Sequence, residues 1–87
     1  MKFAVRVEVR GIEGIADPEG RTIERALPVL GFTGVSSVHV GKVVAFIVES
    51  EDAQKARSEV DEMCRRLLAN PVIERFDVAI MPVDGEQ

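Results

Sequence analysis

The chain holds one thiol and one imidazole, Cys64 and His39. A nucleophilic cysteine needs an oriented base and an accessible, electropositive setting. Cys64 follows Met63 near the apolar side of a helical pattern, which predicts a small buried hydrophobe. His39 stands between Val38 and Val40, so alternation turns its side chain away from theirs, toward solvent or an interface. Nothing in the spacing brings the pair together. One histidine and one cysteine also fall short of the four ligands of a structural zinc site.

Two short motifs invite chemistry and have plainer readings. Gly41-Lys42 suggests phosphate binding, but a phosphate cradle needs a glycine-rich loop running into a helix. Here the pair lies between two strand patterns, which predicts a hairpin turn and leaves Lys42 for an interface or ligand contact. Asp17-Pro18-Glu19-Gly20 offers two hard oxygen ligands, too few for a calcium loop. It reads as a helix start, with Asp17 as N-cap and Pro18 in the first turn. Most other carboxylates belong to polar helix faces, and no acid/base couple stands out.

These residues need a frame. Phe3, Val5, Val7 and Val9 alternate with Ala4, Arg6, Glu8 and Arg10, the period of a half-buried strand. Gly11 and Gly14 end it. The first helix runs from Asp17-Pro18 with Ile23, Ala26, Leu27 and Leu30 on one face, Pro28 loosening its last turn and Gly31 stopping it. A short strand is expected at Val35–Val40. A dense apolar run, Lys42 to Glu49, reads as a central strand buried on both faces. Ser50 is placed as the cap of a second helix, with Glu51 and Asp52 in its first turn and Arg65 and Arg66 near its end. Ala53, Ala56, Val60, Met63 and Leu67 form its apolar face, and Asn70-Pro71 closes it. A last strand, Glu74 to Met81, turns Phe76, Val78 and Ile80 inward, and Asp84 to Gln87 reads as a loose tail. The expected architecture is α+β: a two-layer β-α-β-β-α-β sandwich with a four-stranded antiparallel sheet and both helices on one face, as in ferredoxin-like folds.

Eighty-seven residues form one domain, 1–87, whose thin core leaves little room for a small-molecule pocket. Size thus favours binding or assembly. A net charge of −4 argues against a nucleic-acid partner. No apolar run approaches a bilayer span, and the start of the chain predicts no signal peptide. A lone cysteine suits a reducing, cytoplasmic setting.

Three segments read together resemble one family: Asp17-Pro18-Glu19-Gly20, Val38-His39-Val40-Gly41-Lys42, and Met63 to Glu74 with its Leu67-Leu68-Ala69-Asn70-Pro71-Val72-Ile73-Glu74 core. They are similar to the small PurS subunit of formylglycinamidine ribonucleotide synthase, over nearly the whole chain. The sequence departs from the family's usual pattern at His39, where arginine is common, at Glu19, where glutamine is, and at Phe76, where tyrosine is frequent. The resemblance implies a non-catalytic subunit that bridges a large synthetase subunit and a glutaminase subunit and supports ammonia transfer between them. ATP and magnesium would belong to the synthetase, with no cofactor in this chain. It implies self-association as a homodimer or higher. It also implies partner contacts at Asp17, Pro18, Gly20, His39, Gly41, Lys42, Asn70, Pro71 and Glu74, because loops and caps carry binding residues on a rigid scaffold.

Two rivals share the expected fold. One is a regulatory module binding an amino acid or nucleotide. The other is a small acylphosphatase-like enzyme, which would need an anion loop with an arginine after the first strand. Arg10-Gly11-Ile12-Glu13-Gly14 sets Glu13 where an anion would be repelled.

Overall fold

A computed structural model describes residues 1–83. In chain order it contains β1 (Lys2–Gly11), α1 (Pro18–Val29), β2 (Gly41–Glu49), α2 (Ala53–Met63) and β3 (Glu74–Pro82). A π-helical turn, Cys64–Leu68, continues α2. The strands form one antiparallel sheet in the order β2-β1-β3. The α+β class and the antiparallel sheet are as the patterns indicate.

The core follows from alternation on β1. Phe3, Val5, Val7 and Val9 are at most 2% exposed. Register sets Val44, Phe46 and Val48 of β2 on one side of them and Val78 and Ile80 of β3 on the other. Val60 and Cys64 close the layer from above. Asp52 caps α2, accepting the Lys55 N–H at 2.8 Å, where the sequence suggested Ser50. Ser50 instead sits within the connection, its Oγ buried.

Four further expectations are corrected. Val35–Val40 forms no strand, so the order is β-α-β-α-β with three strands, and there is no hairpin at Gly41. Ser37 has φ +58°, a left-handed turn that interrupts extended backbone. The Lys42–Glu49 run lies at the sheet edge, and β1 is the central strand. Its outward residues Val43 and Ile47 are 46% and 56% exposed: apolarity on both faces does not mean burial within one chain. Leu67, expected on the apolar face of α2, is 82% exposed. The π turn, closed by the Ala69 N–H on the Cys64 carbonyl at 2.9 Å, adds a residue and shifts the phase so that Leu68 packs on the core instead.

The fourth correction concerns α1, which contributes no residue to the core cluster, so α2 alone covers the inner sheet face. The molecule measures 50 × 30 × 15 Å with a radius of gyration of 16.8 Å. A compact chain of this length would have about 12 Å. A ten-residue strand spans only about 33 Å of the long axis, and a twelve-residue helix adds about 18 Å. α1 therefore projects past the end of the sheet as an arm. Its end is built as the sequence indicates: Leu30 and Gly31 donate to Leu27 and Pro28 at 3.0 Å, and Gly31 turns left-handed at φ +100°. Residues 84–87, the expected tail, lie outside the described residues.

Candidate partner interface

The arm is tied to the sheet by one carboxylate. Asp17 caps α1, its Oδ1 accepting the Gly20 N–H at 3.0 Å. Its Oδ2 accepts the Val40 N–H at 3.0 Å and faces His39 Nδ1 at 3.5 Å. The two backbone donors, Gly20 first, and then His39 hold this carboxyl below the usual aspartate value of 3.8. Arg21 donates to the Val38 carbonyl, and Glu24 accepts the Val38 N–H at 3.2 Å. The segment expected as a strand thus satisfies its backbone on α1 side chains instead of a neighbouring strand. Gly20 makes this approach possible, because a Cβ there would stand 2.6 Å from the Val38 carbonyl oxygen.

The Asn70–Glu74 turn is equally self-contained. Asn70 Oδ1 accepts the Val72 N–H at 3.1 Å, its carbonyl accepts the Glu74 N–H at 2.7 Å, and Glu74 Oε1 accepts the Asn70 N–H at 2.7 Å. Pro71 stiffens the turn between them. The turn is fastened to the end of β1 by the Ile12 N–H on the Ile73 carbonyl at 3.0 Å.

Between these two knots lies a cleft of about 570 Å³, lined by residues 10–17, His39, Val40 and residues 73–75. It brings Asp17, His39 and Glu74 together. Pro18 and Gly20 continue from Asp17 into α1, and Asn70 and Pro71 lead into Ile73. Gly41 sits at the same end, paired with Arg10. Its close approach requires glycine: a Cβ would stand 2.5 Å from the Val9 carbonyl oxygen. Lys42 stands apart from the cleft, exposed at the start of β2 and in register with Val9.

The arrangement suits contact more than catalysis. The cleft lining holds no serine, threonine, cysteine, lysine or tyrosine for His39 to activate. Cys64 is fully buried, and burial together with the nearby Asp61 raises its thiol pKa, the opposite of an activated nucleophile. Arg10, the arginine an acylphosphatase-like anion loop would use, engages Glu8 and Asp77 at 3.4 and 3.3 Å. Among the described residues no cluster of three or more His, Cys, Asp or Glu can hold a metal ion. No helix among them is long and apolar enough to cross a membrane.

Sequence reasoning missed Arg21 and Glu24, whose only signal is a charged i,i+3 pair, 3.1 Å apart here. It also missed the bare tip of α1, where Val29 and Leu30 are 84% and 70% exposed.

Comparison with known proteins bears on what would bind here. The family model described as PurS, phosphoribosylformylglycinamidine (FGAM) synthase, matches residues 4–82. The phosphoribosylformylglycinamidine synthase subunit PurS of Methanocaldococcus jannaschii is 44% identical over 82 residues, covering 94% of this chain and 99% of its own. The crystal structure of PurS from that organism, described as one of the subunits of formylglycinamide ribonucleotide amidotransferase in the purine biosynthetic pathway, superposes with a TM-score of 0.84 at 38% identity, covering 94% of this chain and 99% of that one. A chain of the solved PurLQS of Thermotoga maritima superposes with a TM-score of 0.86 at 33% identity, covering 93% and 99%.

Proposed function

Since the chain belongs to the PurS family of phosphoribosylformylglycinamidine synthase, we propose that it is the enzyme's non-catalytic small subunit, bridging a synthetase and a glutaminase in purine biosynthesis. The reaction converts formylglycinamide ribonucleotide, ATP and glutamine-derived ammonia into formylglycinamidine ribonucleotide, ADP and phosphate, the amide oxygen leaving with the phosphate. The observation that carries the reading is the match to a chain of a solved PurLQS over 93% of this one. The site supports it. A rigid end of the molecule, with capped turns and no activated nucleophile, binds with little ordering cost. ATP and magnesium belong to the synthetase, and the thiol chemistry of glutamine hydrolysis to the glutaminase. The assembly works in the cytoplasm, in keeping with a single free thiol.

The chain also self-associates as a homodimer or higher. Its bare apolar surfaces favour this: Val43, Ile47 and Met81 on the outer sheet face, and Val29 and Leu30 on the arm. Sedimentation of the free chain at micromolar concentration reads this directly, and a monomer there refutes it.

Reconstitution tests the bridging role. The synthetase and glutaminase are assayed with and without this chain, using glutamine or ammonia as nitrogen source. Omission should cripple glutamine-dependent synthesis far more than ammonia-dependent synthesis, because ammonia must pass between subunits only in the first. Unchanged glutamine-dependent turnover overturns the reading.

A further inference from the structure

The sheet has one covered face and one bare face. α2 packs on the inner side, while on the outer side Ala45, Ile47, Ala79 and Met81 are exposed. Register sets Arg6 between Ala45 and Ala79, with Ile47 and Met81 in the next row on one side and Glu8 and Asp77 in the next row on the other. The small alanines leave a hollow of about 300 Å³ beside Arg6. Glu8 and Asp77 both turn away to Arg10, at 3.4 and 3.3 Å. Among the described residues Arg6 itself has no ion pair. The face thus presents an unpaired cation beside an apolar rim. That is the layout of an interface centre, where a desolvated arginine contributes strongly and its surround excludes water.

We infer that the centre of the outer sheet face docks one helix of a partner subunit, whose carboxylate, set among apolar side chains, seats on Arg6. This rests on the bridging reading above and gives it a surface, leaving the apolar tip of the arm for self-association. Charge selects the occupant. The planar guanidinium of Arg6 takes a carboxylate in two parallel bonds, and no carboxylate of its own chain fills that place. A second copy set face to face about a two-fold axis through the hollow would bring Arg6 against Arg6. Width selects the helix. Strands about 4.8 Å apart put the outer backbones of a three-stranded sheet about 10 Å from each other. A helix with its side chains is about 10–12 Å across, so one helix fills the face. Residues three and four positions from the carboxylate share its side of the helix. Apolar ones there meet Ile47 and Met81 in one direction and Val43 in the other, all exposed in this chain.

The experiment mixes the full chain with the synthetase and glutaminase in the presence of ATP, magnesium and glutamine, and reads assembly by sedimentation. Arg6→Glu should weaken assembly at least about 30-fold. Lys55→Glu, an equal change of charge on α2, should leave it unaltered. A second variant does not depend on charge: Ala79→Trp fills the hollow with a residue suited to strands and should weaken assembly to a similar degree. Circular dichroism checks that each variant stays folded. Undiminished assembly of folded Arg6→Glu or Ala79→Trp overturns the docking, as does an equal loss with Lys55→Glu. Weakened self-association of the free chain in place of weakened assembly gives the face to a second copy and overturns it too. The bridging reading stands in each of these cases. An unmodified chain that joins neither subunit overturns both.

Discussion

Along β1, Phe3, Val5, Val7 and Val9 are at most 2% exposed, while α1 leaves Val29 84% exposed at its tip. The core half is held by burial, which the chain supplies by itself. The arm half is held by a few directed polar contacts at its root, from Asp17, Arg21 and Glu24 to residues 38–40. An isolated helix of twelve residues is marginal in water. The arm thus has the stability of a tether, and its apolar residues stay outside the core cluster.

The sharpest test of that contrast is a pair of truncations followed by urea unfolding. Phe3→Ala should cost about 3–5 kcal/mol, because Phe3 is fully buried and its cavity cannot collapse freely. Leu30→Ala on the arm should stay within about 0.5 kcal/mol. Equal losses would erase the distinction between the halves.

A smaller effect is expected at the joint. Gly20→Ala forces a methyl against the Val38 carbonyl oxygen, so helix and loop must part, at a cost of roughly 1–3 kcal/mol. Amide hydrogen exchange should quicken across α1 and residues 38–40 while β1 stays protected. Uniform acceleration would mean that the joint and the core unfold together.

The gentlest probe is acid. Asp17 is depressed below 3.8 in the folded chain, chiefly by the Gly20 and Val40 N–H groups. A depressed carboxylate stabilises the fold fully above its ordinary value, and that contribution fades as pH falls through the folded value. The Gly20 and Val40 amide resonances should therefore shift together, with a midpoint lower than the ordinary aspartate value of 3.8. Asp17→Asn should abolish that shift, and a titration unchanged by the substitution would remove Asp17 from the joint.

The sequence was most legible where one chain decides the outcome. The β1 alternation, the Asp17 cap and the Asn70-Pro71 stop all stand where their chemistry puts them. It misled where apolar residues outnumber what one chain buries or where polar side chains replace a strand. Val43–Val48 looks central because both its faces are apolar, yet β2 is an edge strand of the sheet. Val38 and Val40 looked like strand because their alternation is real, while their backbone partners are Asp17 and Glu24. Leu67 was misplaced by one inserted residue in a π turn, for which no spacing rule gives warning. At the candidate site, Asp17, His39 and Glu74 meet in one cleft, but Lys42 does not join them.

The pairing of Arg10 with Gly41 has a kinetic side. It closes a loop that begins where β1 ends and returns only where β2 starts, with the whole arm inside. Loop-closure entropy grows slowly, at about 0.6 kcal/mol per doubling of length. The sheet is therefore nearly indifferent to how long the excursion is, provided its two ends meet. Insertions and deletions within the arm should leave folding rates and strand register almost untouched. The reach of the molecule is then free to drift over evolutionary time while its core stays the same.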